Sequence, residues 1–163
     1  MAINEMSDID KAQDIAMQAH IGQQRKVSKQ PYYIHPYRVY QAAVSNGLSK
    51  THKILAILHD TYEDAKNKKF VQDKIKSLFG EKMLKLVYAL SHDKNMDYNT
   101  YLLKLMKGNK IAGEVKMLDM LENLKDNPSE KQKLKYKNAI QHLLNNKINI
   151  DNKVLSKLKK VLF

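Results

Sequence analysis

Apolar residues recur three and four apart along almost the whole chain, and no useful length alternates apolar with polar. That pattern supports amphipathic helices and leaves no segment to pair as strands. Ile9, Ala12, Ala16 and Ala19 predict a first helix, capped by Ser7 or Asp8 and ending near Gly22. A polar loop, 23–31, follows. Pro36 reads as a first-turn proline of a second helix that stops at Gly47, and Ser49 caps a third. Val71, Ile75 and Leu78 mark a short helix ended by Gly80, and Met83, Leu84, Val87 and Leu90 mark the next. Tyr98, Leu102, Leu105 and Met106 predict a helix closed by Gly108. Ile111 to Leu124 reads as a strongly apolar helix interrupted by Asp119 and Asn123. Pro128 opens the penultimate helix, with Leu134, Ile140, Leu143 and Leu144 on its apolar side. Val154, Leu155, Leu158, Val161 and Leu162 finish the chain. At 163 residues, one all-α domain is expected.

The third helix carries the residues most able to do chemistry. Behind the apolar run Ile54-Leu55-Ala56-Ile57-Leu58 come His59, Asp60, Glu63 and Asp64, spaced so that all four can lean toward one face of a continuous helix. So much negative charge on one face is unfavourable unless a cation sits among the carboxylates. His35 stands at a proline-flanked helix entry, Pro31-Tyr32-Tyr33-Ile34-His35-Pro36. Asp119 lies inside Val115-Lys116-Met117-Leu118-Asp119-Met120-Leu121, where an unpaired carboxylate would be costly. Two imidazoles and two carboxylates make a mixed nitrogen and oxygen site, better suited to Mn²⁺, Fe²⁺, Co²⁺ or Zn²⁺ than to Ca²⁺. With no cysteine in the chain, thiolate sites and disulfides are excluded. These residues point to a metal-dependent hydrolase.

Each piece has a plainer reading. A His-Asp pair arises easily by chance, and His92-Asp93 is a second copy lacking carboxylates three and four residues on. His20 reads as a hydrogen-bonded core histidine, and His52 and His142 as surface residues. Lys116, three residues before Asp119, is placed to pair with that carboxylate and hold it.

The net charge of +12 invites a nucleic-acid reading, but Arg25 and Arg38 are the only arginines and the lysines are scattered. There is no cluster of arginines and aromatics and no recognition helix, so a basic nucleic-acid-binding protein is the least favoured reading. The charge does favour anionic substrates such as phosphates. No apolar run approaches a membrane span, and the first residues lack a signal peptide's basic and apolar regions, so a cytoplasmic location is expected.

The motifs also fall in a telling order. Arg25-Lys26, Pro31-Tyr32, His35-Pro36, His59-Asp60-Thr61 with Glu63-Asp64, Phe79-Gly80, then Lys116, Asp119, Leu121 and Asn123-Leu124 follow one another. That order and spacing resemble the hydrolase domain of RelA/SpoT-type enzymes, most closely the free-standing small alarmone hydrolases of the HD superfamily. The resemblance runs from about residue 8 to the end. It implies a single all-α HD domain over residues 1–163, with a metal and catalytic core at 20–128 and packing helices at 129–163. It implies one Mn²⁺ held by His35, His59, Asp60 and Asp119, with Fe²⁺, Co²⁺ or Zn²⁺ as possible substitutes. The implied reaction removes the 3′-pyrophosphate of guanosine tetra- or pentaphosphate, giving pyrophosphate and GDP or GTP.

Under the same resemblance, Glu63 and Asp64 orient the attacking water and move its proton. Arg25 and Lys26 clamp the purine, Lys94 meets substrate phosphate, Asn123 reaches the ribose or a phosphate, and Tyr136 packs on the sugar or base. Met120 and Glu122 depart from the pattern, because relatives carry a basic residue and His or Tyr there. The loop from Val27 to Gln30 is short and lacks the usual glycine. Those departures bear on which nucleotide is preferred, and the 2′-phosphate of NADPH is the natural alternative substrate. A chain ending with such a domain is expected to carry no synthetase or regulatory region.

Overall fold

The computed structural model describes residues 6–163. Among them nine helices form: α1 (Asp8–Ala19), α2 (Ile34–Ser45), α3 (Lys50–Leu58), α4 (Thr61–Asp64), α5 (Lys68–Ala89), α6 (Tyr98–Gly108), α7 (Lys110–Leu124), α8 (Glu130–Asn145) and α9 (Asn152–Leu162). One isolated bridge between Gln24 and Pro31 is the only extended pairing among the described residues. No described helix is long and apolar enough to cross a membrane.

Two helices form the middle of the molecule. In α3 every residue from Ile54 to Leu58 is buried. Five consecutive apolar positions cover the whole circumference of a helix, so α3 must be surrounded rather than laid on a surface. It packs against α1, α2, α5 and α7. The second is α7, which buries Val115, Met117, Leu118, Met120, Leu121 and Leu124 and touches α2, α3, α5, α6 and α9. Each fully buried Leu or Ile contributes roughly 1.5–3 kcal/mol. That burial carries Asp119 into the interior and sets it opposite the end of α3.

Side-chain caps fix most helix starts. Ser7 and Asp10 form a reciprocal capping box on α1, and Ser49 caps α3 through its bond to the His52 amide. At Gly80 φ is +87° and ψ 172°, a conformation open to glycine alone, so α5 breaks there into the two helices read from the sequence.

Several expectations need correction. The third helix does not run on through Asp64: it stops at Leu58, and Asp60 (φ −104°, ψ −2°) bends the chain into the single turn of α4. Pro128 lies two residues ahead of α8, which starts at Glu130 under a Ser129 cap. Leu78, Leu134 and Val161 were placed on apolar faces but are 42%, 58% and 47% exposed. Each sits at the edge of its stripe, where helical spacing alone does not tell the core side from the rim. His52 is buried, its Nδ1 2.6 Å from Ser49 Oγ and its Nε2 3.4 Å from Glu114.

Candidate metal centre

The bend after α3 brings two neighbouring side chains to one point. His59 Nε2 lies 3.0 Å from Asp60 Oδ2 and 3.3 Å from Asp119 Oδ1. From the first turn of α2, His35 Nε2 approaches Asp119 Oδ1 to 2.7 Å and Asp60 Oδ2 to 3.9 Å. One ligand atom from each of the four lies within 4.8 Å of all the others. His35, His59 and Asp119 are buried; Asp60 is slightly open to solvent.

The tautomer of His59 defines the problem this site poses. Its Nδ1 lies 2.6 Å from the Ala56 carbonyl oxygen, which can only accept, so Nδ1 carries a hydrogen. Nε2 is fully buried and aligned with no hydrogen-bond partner among the described residues. As a neutral ring, it would aim a lone pair at two carboxylate oxygens. Such a group needs a second proton or a cation. Burial opposes charging the ring, but Asp60 and Asp119 outweigh it and raise the His59 pKa well above its ordinary value. A divalent cation satisfies the same need, and two nitrogen and two oxygen donors suit a first-row transition-metal ion. The residues present therefore fit a metal.

A second layer holds these side chains. Lys116 Nζ lies 2.7 Å from Asp119 Oδ2, and Asn123 Nδ2 donates to Asp119 Oδ1 at 3.2 Å. Burial would raise the Asp119 pKa, but Lys116 and then His59 hold it well below the usual carboxylate range. The Tyr32 hydroxyl donates to Asp60 Oδ2 at 2.8 Å. Burial likewise works against the Asp60 anion, and His59 more than compensates, so its pKa too is lowered. Tyr32 was visible in the sequence only as part of Pro31-Tyr32; nothing in the pattern assigned its hydroxyl to Asp60.

The remaining residues singled out from the sequence fall around this cluster. Glu63 and Asp64 lie on α4, one turn beyond. Burial first and Asp60 second raise the pKa of both. His20 is buried as expected, its Nδ1 2.9 Å from Gln23 Oε1 and its ring 4.7 Å from Tyr32. Arg25 is tethered edge-on: Nε donates to Asp126 Oδ2 at 2.7 Å and a terminal nitrogen to Asn123 Oδ1 at 3.0 Å. Asn123 also donates to the Tyr136 hydroxyl at 3.1 Å. Tyr136 is buried, while Lys26 and Lys94 are exposed. His92 Nε2 donates to the Met96 carbonyl at 2.7 Å and joins no metal-binding group among the described residues. Met120 is fully buried in the core, and Glu122 pairs with Lys125 at 2.8 Å. Neither departure from the pattern enters the cluster.

A helical domain with a His, His-Asp and Asp cluster between its central helices defines a class. This chain belongs to the HD domain family, whose sequence profile matches residues 12–144. Among particular proteins, it is 32% identical over 93 residues to a guanosine-3′,5′-bis(diphosphate) 3′-pyrophosphohydrolase of Aquifex aeolicus. It is 36% identical over 89 residues to a GTP pyrophosphokinase rsh of Brucella ovis. Those stretches cover 57% and 55% of this chain but only 13% and 11% of the relatives. The fold matches that of a metazoan ortholog of SpoT, described as hydrolyzing ppGpp and playing a role in starvation responses. The TM-score is 0.78 at 21% identity, over 98% of this chain and 96% of the other.

Proposed function

We propose that this chain is a Mn²⁺-dependent 3′-pyrophosphohydrolase of guanosine tetra- and pentaphosphate. The observation that carries the reading is the buried His59 Nε2, set among carboxylate oxygens with no hydrogen-bond partner among the described residues. His35, His59, Asp60 and Asp119 would hold the ion. The cation supplies Lewis acidity, which acidifies water and polarises a phosphoryl oxygen. Fe²⁺, Co²⁺ and Zn²⁺ suit the same donors. The names of the relatives support the choice of substrate.

The chemistry asked of the protein is modest. Water attacks the inner phosphorus of the 3′-pyrophosphate, the bond to the ribose 3′ oxygen breaks, and that oxygen takes a proton as pyrophosphate leaves. Glu63 and Asp64 have the raised proton affinity that suits taking the water's proton and passing it on. Arg25, held by its edge and with one face over the Tyr32 ring at 5.4 Å, would offer a purine ring its other face, with Lys26 beside it. Lys94 serves the phosphates, and Asn123 and Tyr136 shape the ribose side. This reading places the protein in the cytoplasm, with its nucleotide substrate.

Incubation with Mn²⁺ and either guanosine tetraphosphate or NADPH tests the reading. Pyrophosphate should be released from the tetraphosphate, and His59→Ala should abolish it. Orthophosphate from NADPH alone would move the assignment to the NADPH 2′-phosphate. An unchanged rate in His59→Ala would refute the metal site.

A further inference from the structure

Aromatic rings of α6 and α8 adjoin the residues that hold Asp119, and two polar groups there have no hydrogen-bond or ion-pair partner among the described residues. Asn123, bonded to Asp119, also bonds the Tyr136 hydroxyl. Tyr136 lies nearly parallel to Tyr98, with ring centroids 6.1 Å apart and planes 22° apart. The Lys135 ammonium sits 4.1 Å from the centre of the Tyr98 ring. The Tyr98 hydroxyl is buried and meets no hydrogen-bonding partner among the described residues. Lys135 pairs with no carboxylate among them either; it rests on an aromatic face, where an ammonium is held weakly and can leave. The Tyr136 oxygen already accepts from Asn123 and, at 3.5 Å, from Gln132, so its own proton is uncommitted.

We propose that Tyr98 and Lys135 form a second phosphate subsite, which binds a phosphate of the nucleotide other than the one attacked. It rests on the reading of the chain as a nucleotide pyrophosphohydrolase and deepens it by naming what selects a multiply phosphorylated substrate. A buried phenol proton and an unpaired ammonium make up a donor-only set, which matches an acceptor-only phosphate. A purely structural role explains the Tyr98 ring but not its hydroxyl. An unsatisfied buried hydroxyl is a cost to the fold, and a substrate oxygen would relieve it.

The test follows from that asymmetry. Tyr98→Phe keeps the ring, so the melting temperature should hold or rise, while KM for guanosine tetraphosphate rises several-fold. Lys135→Met should raise KM by about tenfold, the worth of one charge-assisted hydrogen bond, with kcat nearly unchanged. Two truncated substrates then identify the phosphate. If the subsite reads the 5′ arm, the Lys135→Met penalty disappears for a nucleotide without 5′ phosphates. If it reads the outer 3′ phosphate, the penalty disappears for a 3′-monophosphate. An unchanged KM in both variants would overturn the subsite. Calorimetric titration of the metal-free protein with inorganic pyrophosphate separates this from failure of the functional reading. Lys135→Met should weaken pyrophosphate by about tenfold; equal affinity overturns the subsite, and absent turnover in the wild type overturns only the assigned reaction.

Discussion

At His59 a proton and a metal ion compete for one nitrogen. The folded pKa is raised above the unfolded value near 6.5, so in the metal-free protein this imidazolium contributes stability that is fully present below about pH 6.5. The contribution is lost as pH rises through the folded pKa. A cation replaces the proton, so binding should release about one proton per ion at pH 7. Calorimetry in two buffers of different ionisation enthalpy reads that number; no release would place the ion elsewhere. Tyr32→Phe removes the hydroxyl from Asp60 and should weaken the metal on the order of tenfold, with little effect on the fold. An isothermal titration of the variant measures it. The four cluster residues could be picked from the sequence because each is a ligand type set in an unfavourable place. Tyr32, Lys135 and the Tyr98 hydroxyl could not, because their meaning lies in what they face across the chain.

Helical elements were legible wherever an apolar stripe was unbroken, and their ends were legible where a cap or glycine stood. The break between α3 and α4 was not: His59, Asp60, Glu63 and Asp64 keep helical spacing although the chain turns at Asp60. That turn is what lets adjacent residues 59 and 60 meet at one point, which successive positions on a straight helix do not do. Gly80 was legible as a stop, and its cost to any other residue is torsional, since an added Cβ would meet nothing within 4 Å. Gly80→Ala should therefore destabilise by about 1–3 kcal/mol while leaving metal affinity intact. Chemical denaturation and metal titration of the same sample check both halves. Gly113 differs: its added Cβ would lie 2.6 Å from Met106 Sδ, where α6 and α7 pack closely. Nothing in the local pattern shows that close approach.

For the molecule as a whole, the all-helical class and the strongly apolar character of the Asp119 helix followed from hydrophobic periodicity. The long-range ties did not. Arg25 reaches Asp126 and Asn123 across about a hundred residues, joining the loop before α2 to the end of α7. No spacing rule encodes such a contact. The net charge of +12 acts at this scale as well. With a highly anionic nucleotide, kcat/KM should fall as salt rises from well below to well above physiological strength, mostly through KM. Stopped assays across a salt series would show it, and a flat response would remove electrostatic steering from the account. The central claim is that residues from α2, the α3–α4 bend and α7 hold one divalent cation. Titrating metal-free protein with Mn²⁺, beside Asp119→Asn, tests it most directly. One ion per chain, lost in the variant while its circular dichroism stays helical, is the expected result. No stoichiometric binding by the wild type, or equal binding by both, would contradict it.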